Sequence, residues 1–429
     1  MRQDIDNGLR EQFRGQVLKR TQAEPDVISY NRLLIWFFLQ ENKFSNALRQ
    51  SIALDRRTKD EDANIVQLGQ MALNNKSYED ARNAFDYIIE KGKDNPFYIL
   101  AFAQNVHTSY LLYTTSEVKN IEEGNKLASH FDENLNNLGY NASTLGIIMD
   151  YAHLLAFYLD KPEKAIEVLQ KGTEIQRLRP EELGQLKTEM ADIYVYADDQ
   201  WEATLIYSQV IEANKNNNLG DEVKLKKARL GYYMGNFSWA KAQLDVLKAS
   251  TSKLTANDAM ELSLLISSNL NLDTSSVTLE MFARADWLFF RNKDSLALAT
   301  LDSLSTMFPY HTLSSNILFR KSKIETSRGN YLLAAGYLEE IVNSYSYESL
   351  ADDALFELAT LYHFNLNEKE KARDLYKQML FDFPGSVYVE ESRTQYRELR
   401  EIYPEENIDR NIPNIEDLFM NGLITNEIN

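Results

Sequence analysis

A small residue returns along this chain at nearly constant spacing, and that recurrence limits what the chain can fold into more than any other feature. Ala47 and Ala81 stand 34 residues apart, Ala165, Ala203 and Ala240 follow one another at 38 and 37, and Ala297, Ala334 and Ala372 at 37 and 38. Four residues after most of them comes a larger side chain: Phe85, Leu169, Tyr207, Leu244, Leu301, Leu338 or Tyr376. An i, i+4 pair shares one face of an α-helix, so each repeat presents the same small-then-large stripe. A period of 34 to 38 residues belongs to a stacked array of helical hairpins, where each unit buries its apolar face only against its neighbours. Pro309 and Pro384 fall twelve residues after Ala297 and Ala372, where a proline ends the second helix of a hairpin. With 16 Gly and 8 Pro in 429 residues, the segments between have few breakers and read as helix.

The period breaks twice. From Ala81 to Ala165 is 84 residues, which holds a third unit over roughly 95–138, with Ala128, Leu135 and Leu138 on its second helix. From Ala240 to Ala297 is 57, and the surplus, 257–270, reads as one extra amphipathic helix carrying Met260, Leu262, Leu264, Leu265 and Leu270. The expected organisation is an N-terminal array over 1–250, an inserted helix and connector over 251–276, a C-terminal array with a capping helix over 277–403, and an acidic tail over 404–429. Residues 6–22 take the slot of a second helix that lacks its first, so the chain is expected to be a fragment with further repeats before it. The segment 386–403 reads as a polar-faced cap with Val389, Tyr396 and Leu399 turned inward. The tail carries Ile412, Ile415, Leu418, Phe419, Leu423 and Ile424, which either cover the array or form a short helical motif for a partner.

Within 62–93, Leu68 and Gly69 are followed by Tyr78, Ala81, Phe85 and Ile88, each in the register of the tetratricopeptide (TPR) pattern. The pattern has a mechanical basis: the Gly lies where the two helices of a unit meet and the Ala where the second helix meets the next unit, and a large residue at either place overpacks the contact. The chain therefore resembles TPR proteins. The resemblance implies an all-α, right-handed superhelical solenoid of about nine helix-turn-helix units with one extra inserted helix. The C-terminal motifs (Phe308 and Pro309 with His311; Ala351 to Ala354; Lys371 to Tyr376; Phe383 to Ser386) are similar to repeats of bacterial cell-envelope TPR proteins. That resemblance implies a periplasmic scaffold whose export signal is absent from this sequence, with a cytoplasmic adaptor as the alternative setting.

The charge balance argues against nucleic acid as a partner. The chain has 46 Lys and Arg against 64 Asp and Glu, a net of −18, and backbone binding needs a basic patch that releases counterions. The one basic cluster, Arg2, Arg10, Arg14, Lys19 and Arg20, is short and interleaved with acids, and reads as a solvated helix face. No cysteine is present, which excludes disulfides, Cys-ligated zinc and a thiol nucleophile. No stretch reaches the ~20 apolar residues of a membrane helix; the densest run, 33–39, is far shorter.

Catalytic motifs are missing as well. No two of His107, His130, His153, His311 and His363 fall within one helix turn of each other, and no HExxH, GxxxxGK[ST] or GxSxG occurs. No metal or cofactor is expected. The acidic pairs Asp198–Asp199 and Asp352–Asp353 raise the possibility of an α/α-toroid glycosidase, which sets two carboxylates at loop ends. Turn and cap chemistry explains both pairs without catalysis. Trp201 and Trp239, at the start of second helices, are expected to pack between units.

The TPR register also names a binding surface. The first helices line a concave groove, and counting back from each Ala places on it Trp36, Gln70, Asn74, Leu154, Tyr158, Asp192, Tyr196, Arg229, Tyr233, Asp286, Phe290 and Lys323. Tyr158, Tyr196, Tyr233 and Phe290 share one register position and should form a ladder. They either hold a peptide, as large aromatics at open positions do, or pack against the next helix. If they hold a peptide, Tyr196→Ala with Tyr233→Ala weakens partner capture and leaves the helix content unchanged. Too few cations line the groove for a clamp on a terminal carboxylate. The function this reading expects is a non-catalytic protein–protein interaction scaffold that takes a partner protein or peptide in the groove.

Overall fold

A computed structural model describes residues 2–404 except 25, 117, 118, 216, 251, 273–275 and 310, with the backbone alone described for 2–10, 271 and 272. The described residues form helices joined by turns, with no strand among them. A lone first helix, α1 (Arg2–Ala23), precedes six hairpins. These are α2 (Ile28–Gln40) with α3 (Phe44–Thr58), α4 (Asp62–Asn74) with α5 (Tyr78–Glu90), and α6 (Tyr98–Thr115) with α7 (Ile121–Leu138). Then come α8 (Leu145–His153) with α9 (Pro162–Thr173), α10 (Pro180–Ala197) with α11 (Gln200–Ala213), and α12 (Asn218–Tyr233) with α13 (Phe237–Leu247). Two single helices follow, α14 (Lys253–Leu272) and α15 (Val277–Phe290). The remaining elements are α16 (Asp294–Met307), α17 (Ser314–Ser327) with α18 (Tyr331–Ser344), α19 (Ala351–Thr360) with α20 (Lys369–Asp382), and α21 (Val389–Ile402). The acidic tail over 405–429 lies outside the described residues.

The recurring alanines do what their spacing predicts. Ala47, Ala81, Ala165, Ala203, Ala240, Ala297, Ala334 and Ala372 all have no exposed surface. Their partners Phe85, Leu169, Tyr207, Leu244, Leu301, Leu338 and Tyr376 are buried with them. A Cβ on Gly69 would stand 2.8 Å from the Phe85 ring and 3.2 Å from the Ala84 methyl, so the helices of that hairpin touch backbone to ring. In the third unit Ala128 and Leu135 are buried on α7, as expected, together with Phe131, and Leu138 is half-buried. A second regularity lies in the turns. Asn42, Lys76, Asp160, Asp198, Gly235, Asn292, Gly329 and Asn367 each precede one of those alanines by five residues, and all have positive φ. Gly, Asn and Asp tolerate this left-handed conformation at a helix end, which explains most of the residues chosen. Asp198 is therefore a turn residue, and Asp199 caps α11 by accepting from the Glu202 amide. Asp353 sits in the first turn of α19 and accepts from the Tyr388 hydroxyl at 2.7 Å.

The chain divides into two compact units, Met1–Lys293 and Asp294–Asn429. Within the first unit α15 packs onto α12 and is bonded to the ends of other first helices. The inserted helix is present, as α14, but it buries a different face from the one expected. Thr255, Ala259, Ser263, Ile266 and Asn269 are buried; of the residues named, Leu262, Leu265 and Leu270 are half-buried and Met260 and Leu264 are 45% and 59% exposed. Small residues let α14 lie close along α13, and Ser263 donates to Asp245 at 2.8 Å. The tryptophans also part company. Trp239 covers Gly231, whose Cβ would stand 2.7 Å from its ring; Trp201 is 79% exposed and does not pack between units. In the N-terminal basic cluster, Arg14 is half-buried and pairs with Glu41 at 3.1 Å, whereas Arg20 is exposed and donates to the Tyr30 hydroxyl at 2.9 Å.

Candidate functional site

The concave face of the first unit is built by α2, α4, α6, α8, α10 and α12, and it has two unlike stretches. Over α8, α10 and α12 it is filled by the chain itself. Trp287 of α15, only 4% exposed, donates its indole N–H to the Val195 carbonyl at 3.3 Å. Arg291 donates through Nε to the Tyr196 carbonyl at 2.9 Å and through Nη1 to Asp198 at 2.8 Å. Its guanidinium and that of Arg284 lie 5.0 and 4.6 Å from the Trp287 ring centroid, within cation–π reach. Asn292, in the left-handed turn that follows, donates to the Phe157 carbonyl at 2.7 Å. The Tyr232 hydroxyl donates to Asp286 at 3.0 Å.

The aromatic ladder forms, with one rung exchanged. Phe157 meets Tyr196 at 5.0 Å and Phe290 at 6.0 Å, and Phe290 meets Tyr233 at 6.2 Å, between centroids. Tyr158 turns instead to Tyr113, 5.9 Å away. The cause is a π-helical turn, Leu154–Tyr158, that continues α8. Counted back from Ala165, its extra residue per turn moves the inward positions one residue earlier, so Phe157 takes the place expected for Tyr158. Leu154 is fully buried, and the neighbouring His153 faces the groove in its stead. Tyr196 is 8% exposed and donates to Asp160 at 3.1 Å; burial, then the Asp160 carboxylate, pushes its hydroxyl up to about 12. In this stretch the aromatics contact the chain's own helix α15.

The other predicted groove residues are spread out. Asp192 accepts from Tyr207 and from Lys226, the latter at 2.7 Å, and is largely buried. Arg229 lies 3.9 Å from Asp258 and is open to solvent. Trp36 is 52% exposed, its ring edge-on to Phe37. Lys323 belongs to the second unit, where it pairs with Glu357 at 2.5 Å beside Phe319.

The second stretch is open. Gln70 and Asn74, joined by a 3.1 Å hydrogen bond, form one wall of a trough of about 630 Å³ between α4, α6 and α8. Leu73, Ala103, Leu111 and Ile147 give it an apolar floor, and Gln104, His107 and Asp150 stand along it. His107 Nδ1 lies 2.6 Å from Asp150 Oδ2. One helix further on, His153 Nδ1 lies 2.7 Å from Glu189 Oε1. The hydrogen bond to Asp150 holds the His107 imidazolium above its ordinary pKa. Burial pushes the Asp150 carboxyl up, against the pull of His107. The sequence reading passed over these two histidines as isolated. Each bridges to a carboxylate on the following first helix, 43 or 36 residues on, and a one-repeat offset was the signal available. Among the described residues there is no cluster of three side chains that could hold a metal ion, and no helix long and apolar enough to cross a membrane.

The hairpins, the buried alanine at each crossing and the left-handed turn five residues before it make this chain a TPR-like all-α helical-repeat protein. No family model and no curated protein matches the sequence. Among solved structures it is similar to a tetratricopeptide repeat protein from Parabacteroides merdae, at 14% identity and TM-score 0.36, over 68% of this chain and 97% of that one. It is similar to yeast Tom70, at 14% identity and TM-score 0.29, over 99% and 97% of the two chains. The TPR domain of P58(IPK) shows 14% identity and TM-score 0.25, over 88% and 99%.

Proposed function

We propose that this protein is a non-catalytic interaction scaffold that holds an extended segment of a partner protein in the trough between α4, α6 and α8. One observation carries the reading: the trough is the stretch of the first unit's concave face that α15 leaves open. An apolar floor bordered by a few polar groups suits a peptide, whose side chains cover the floor while its backbone meets carboxamides. Gln104 is the clearest such group, because its carboxamide is half-buried and has no protein partner among the described residues. The bacterial-envelope setting belongs to the same proposal and rests on the motif resemblance of the second unit. Fractionation of the full-length gene product tests it, and recovery in the cytoplasm would refute it.

The groove reading is tested with a triple variant, Gln70→Ala, Asn74→Ala and Gln104→Ala, against Trp201→Ala on the exposed start of α11. Both proteins, tagged and full-length, are expressed in the native cell and their bound proteins compared by quantitative mass spectrometry. The expected result is a defined set of proteins lost from the triple variant and kept by Trp201→Ala. A partner set that the triple variant retains in full removes the trough from the account.

A further inference from the structure

We infer that the segment received by the trough is basic, and that one of its lysine or arginine side chains is bound by Asp150. This rests on the trough being the partner site. Asp150 stands beside the apolar floor with its side chain 16% exposed. Its Oδ2 is engaged by His107. Its Oδ1 has no protein donor among the described residues, so a lone pair of a mostly desolvated carboxylate faces the trough. A charged donor satisfies such a carboxylate about twice as strongly as a neutral one.

The surroundings favour a cation over a neutral donor. Glu189 adds a like charge near Asp150. The partners of these two carboxylates among the described residues are imidazoles, His107 and His153, and neither carboxylate is paired with a lysine or arginine there. Asp192, on the covered stretch, has by contrast a permanent cation in Lys226. Lys76 also borders the trough, but it is exposed, and a solvated ammonium contributes little to holding a ligand. Over longer range, a protein of net charge −18 draws in basic segments and repels acidic ones. The guest side chain would share the carboxylate with His107, Oδ1 taking the guest and Oδ2 keeping the imidazole.

The test is selection from a display library of random linear twelve-residue peptides on the full-length protein, followed by affinity measurement on Asp150→Asn, Asp150→Glu and Gln104→Ala. The expected outcome is a family of peptides with Lys or Arg at one fixed position. Their binding should weaken about tenfold or more on Asp150→Asn, be largely restored by Asp150→Glu, and fall on Gln104→Ala. Circular dichroism of each variant separates lost binding from lost folding, and Asp150→Glu keeps the charge should Asp150→Asn unfold. Peptides that need Gln104 but share no basic position, or that bind Asp150→Asn unchanged, overturn this inference and leave the trough as the site. Selected peptides indifferent to Gln70, Asn74 and Gln104 overturn the trough itself.

Discussion

The two stretches of the first unit's concave face are made of equivalent positions on equivalent helices, yet one is a core and the other a surface. Over α8 to α12 the inward residues are Phe157, Tyr196 and Tyr233, and they are completed by Phe290, Trp287 and Arg291 of α15. Over α4 to α8 the inward residues are Gln70, Asn74, Gln104, His107 and Asp150, and among the described residues no helix of the first unit covers them. Large aromatics are added to the titratable groups on the covered stretch, whereas the uncovered one sets carboxamides and titratable groups beside an apolar floor. The residue types at inward positions thus record whether the groove is filled from within.

The sharpest way to break this comparison is to remove what fills the covered stretch. Trp287→Ala should cost about 3–5 kcal/mol, as truncation of a buried aromatic does, read by urea unfolding. A change below about 0.5 kcal/mol, the range of surface substitutions, would mean that α15 merely lies nearby. Tyr196→Ala with Tyr233→Ala should likewise lower stability, in place of the pure binding defect that an open ladder would show. Next in size is Arg291→Ala, expected to cost about 2–3 kcal/mol because a buried carbonyl loses its charged donor. Asn292→Ala should cost about 1–2 kcal/mol, for one hydrogen bond to the π turn and the strain of alanine at a left-handed φ.

The open stretch should respond the other way. Gln104→Ala should leave stability within about 0.5 kcal/mol while reducing partner capture, measured by thermal melting beside co-precipitation. The pH dependence is the finest test. His107 has a folded pKa raised above its unfolded value of about 6.5, so its contribution is fully present below that value and is lost as pH rises through the folded pKa. The stability difference between wild type and His107→Gln should therefore be larger at pH 6 than at pH 8.5. An equal difference at both would show that His107 acts through packing alone.

Much of this was legible in the sequence, for local reasons. The alanines and their i+4 partners are dictated by how closely two helices must approach, and Asn, Asp and Gly before them by the left-handed turn. What escaped was set by longer range. The π turn adds no residue between the groove position Leu154 and Ala165, where the count matches that from Gln70 to Ala81, so the shift from Tyr158 to Phe157 left no mark in the spacing. On α14 the leucines were read as the buried face, but contact with α13 selected Ala259 and Ser263 for their small size. And α15 carries the pattern of any first helix. Asp286 and Phe290 were read from that pattern as groove positions, and the pattern alone does not say that they meet Tyr232 and Tyr233 of the preceding repeat.

The central claim, that partners enter the open stretch and not the filled one, can be put to one measurement. A photo-crosslinking residue is placed in turn at Gln104 and at Tyr233 of the full-length protein in its native cell. The account predicts adducts with another protein from position 104 and, from position 233, only crosslinks within the chain. Partner adducts from position 233 with none from position 104 would contradict it.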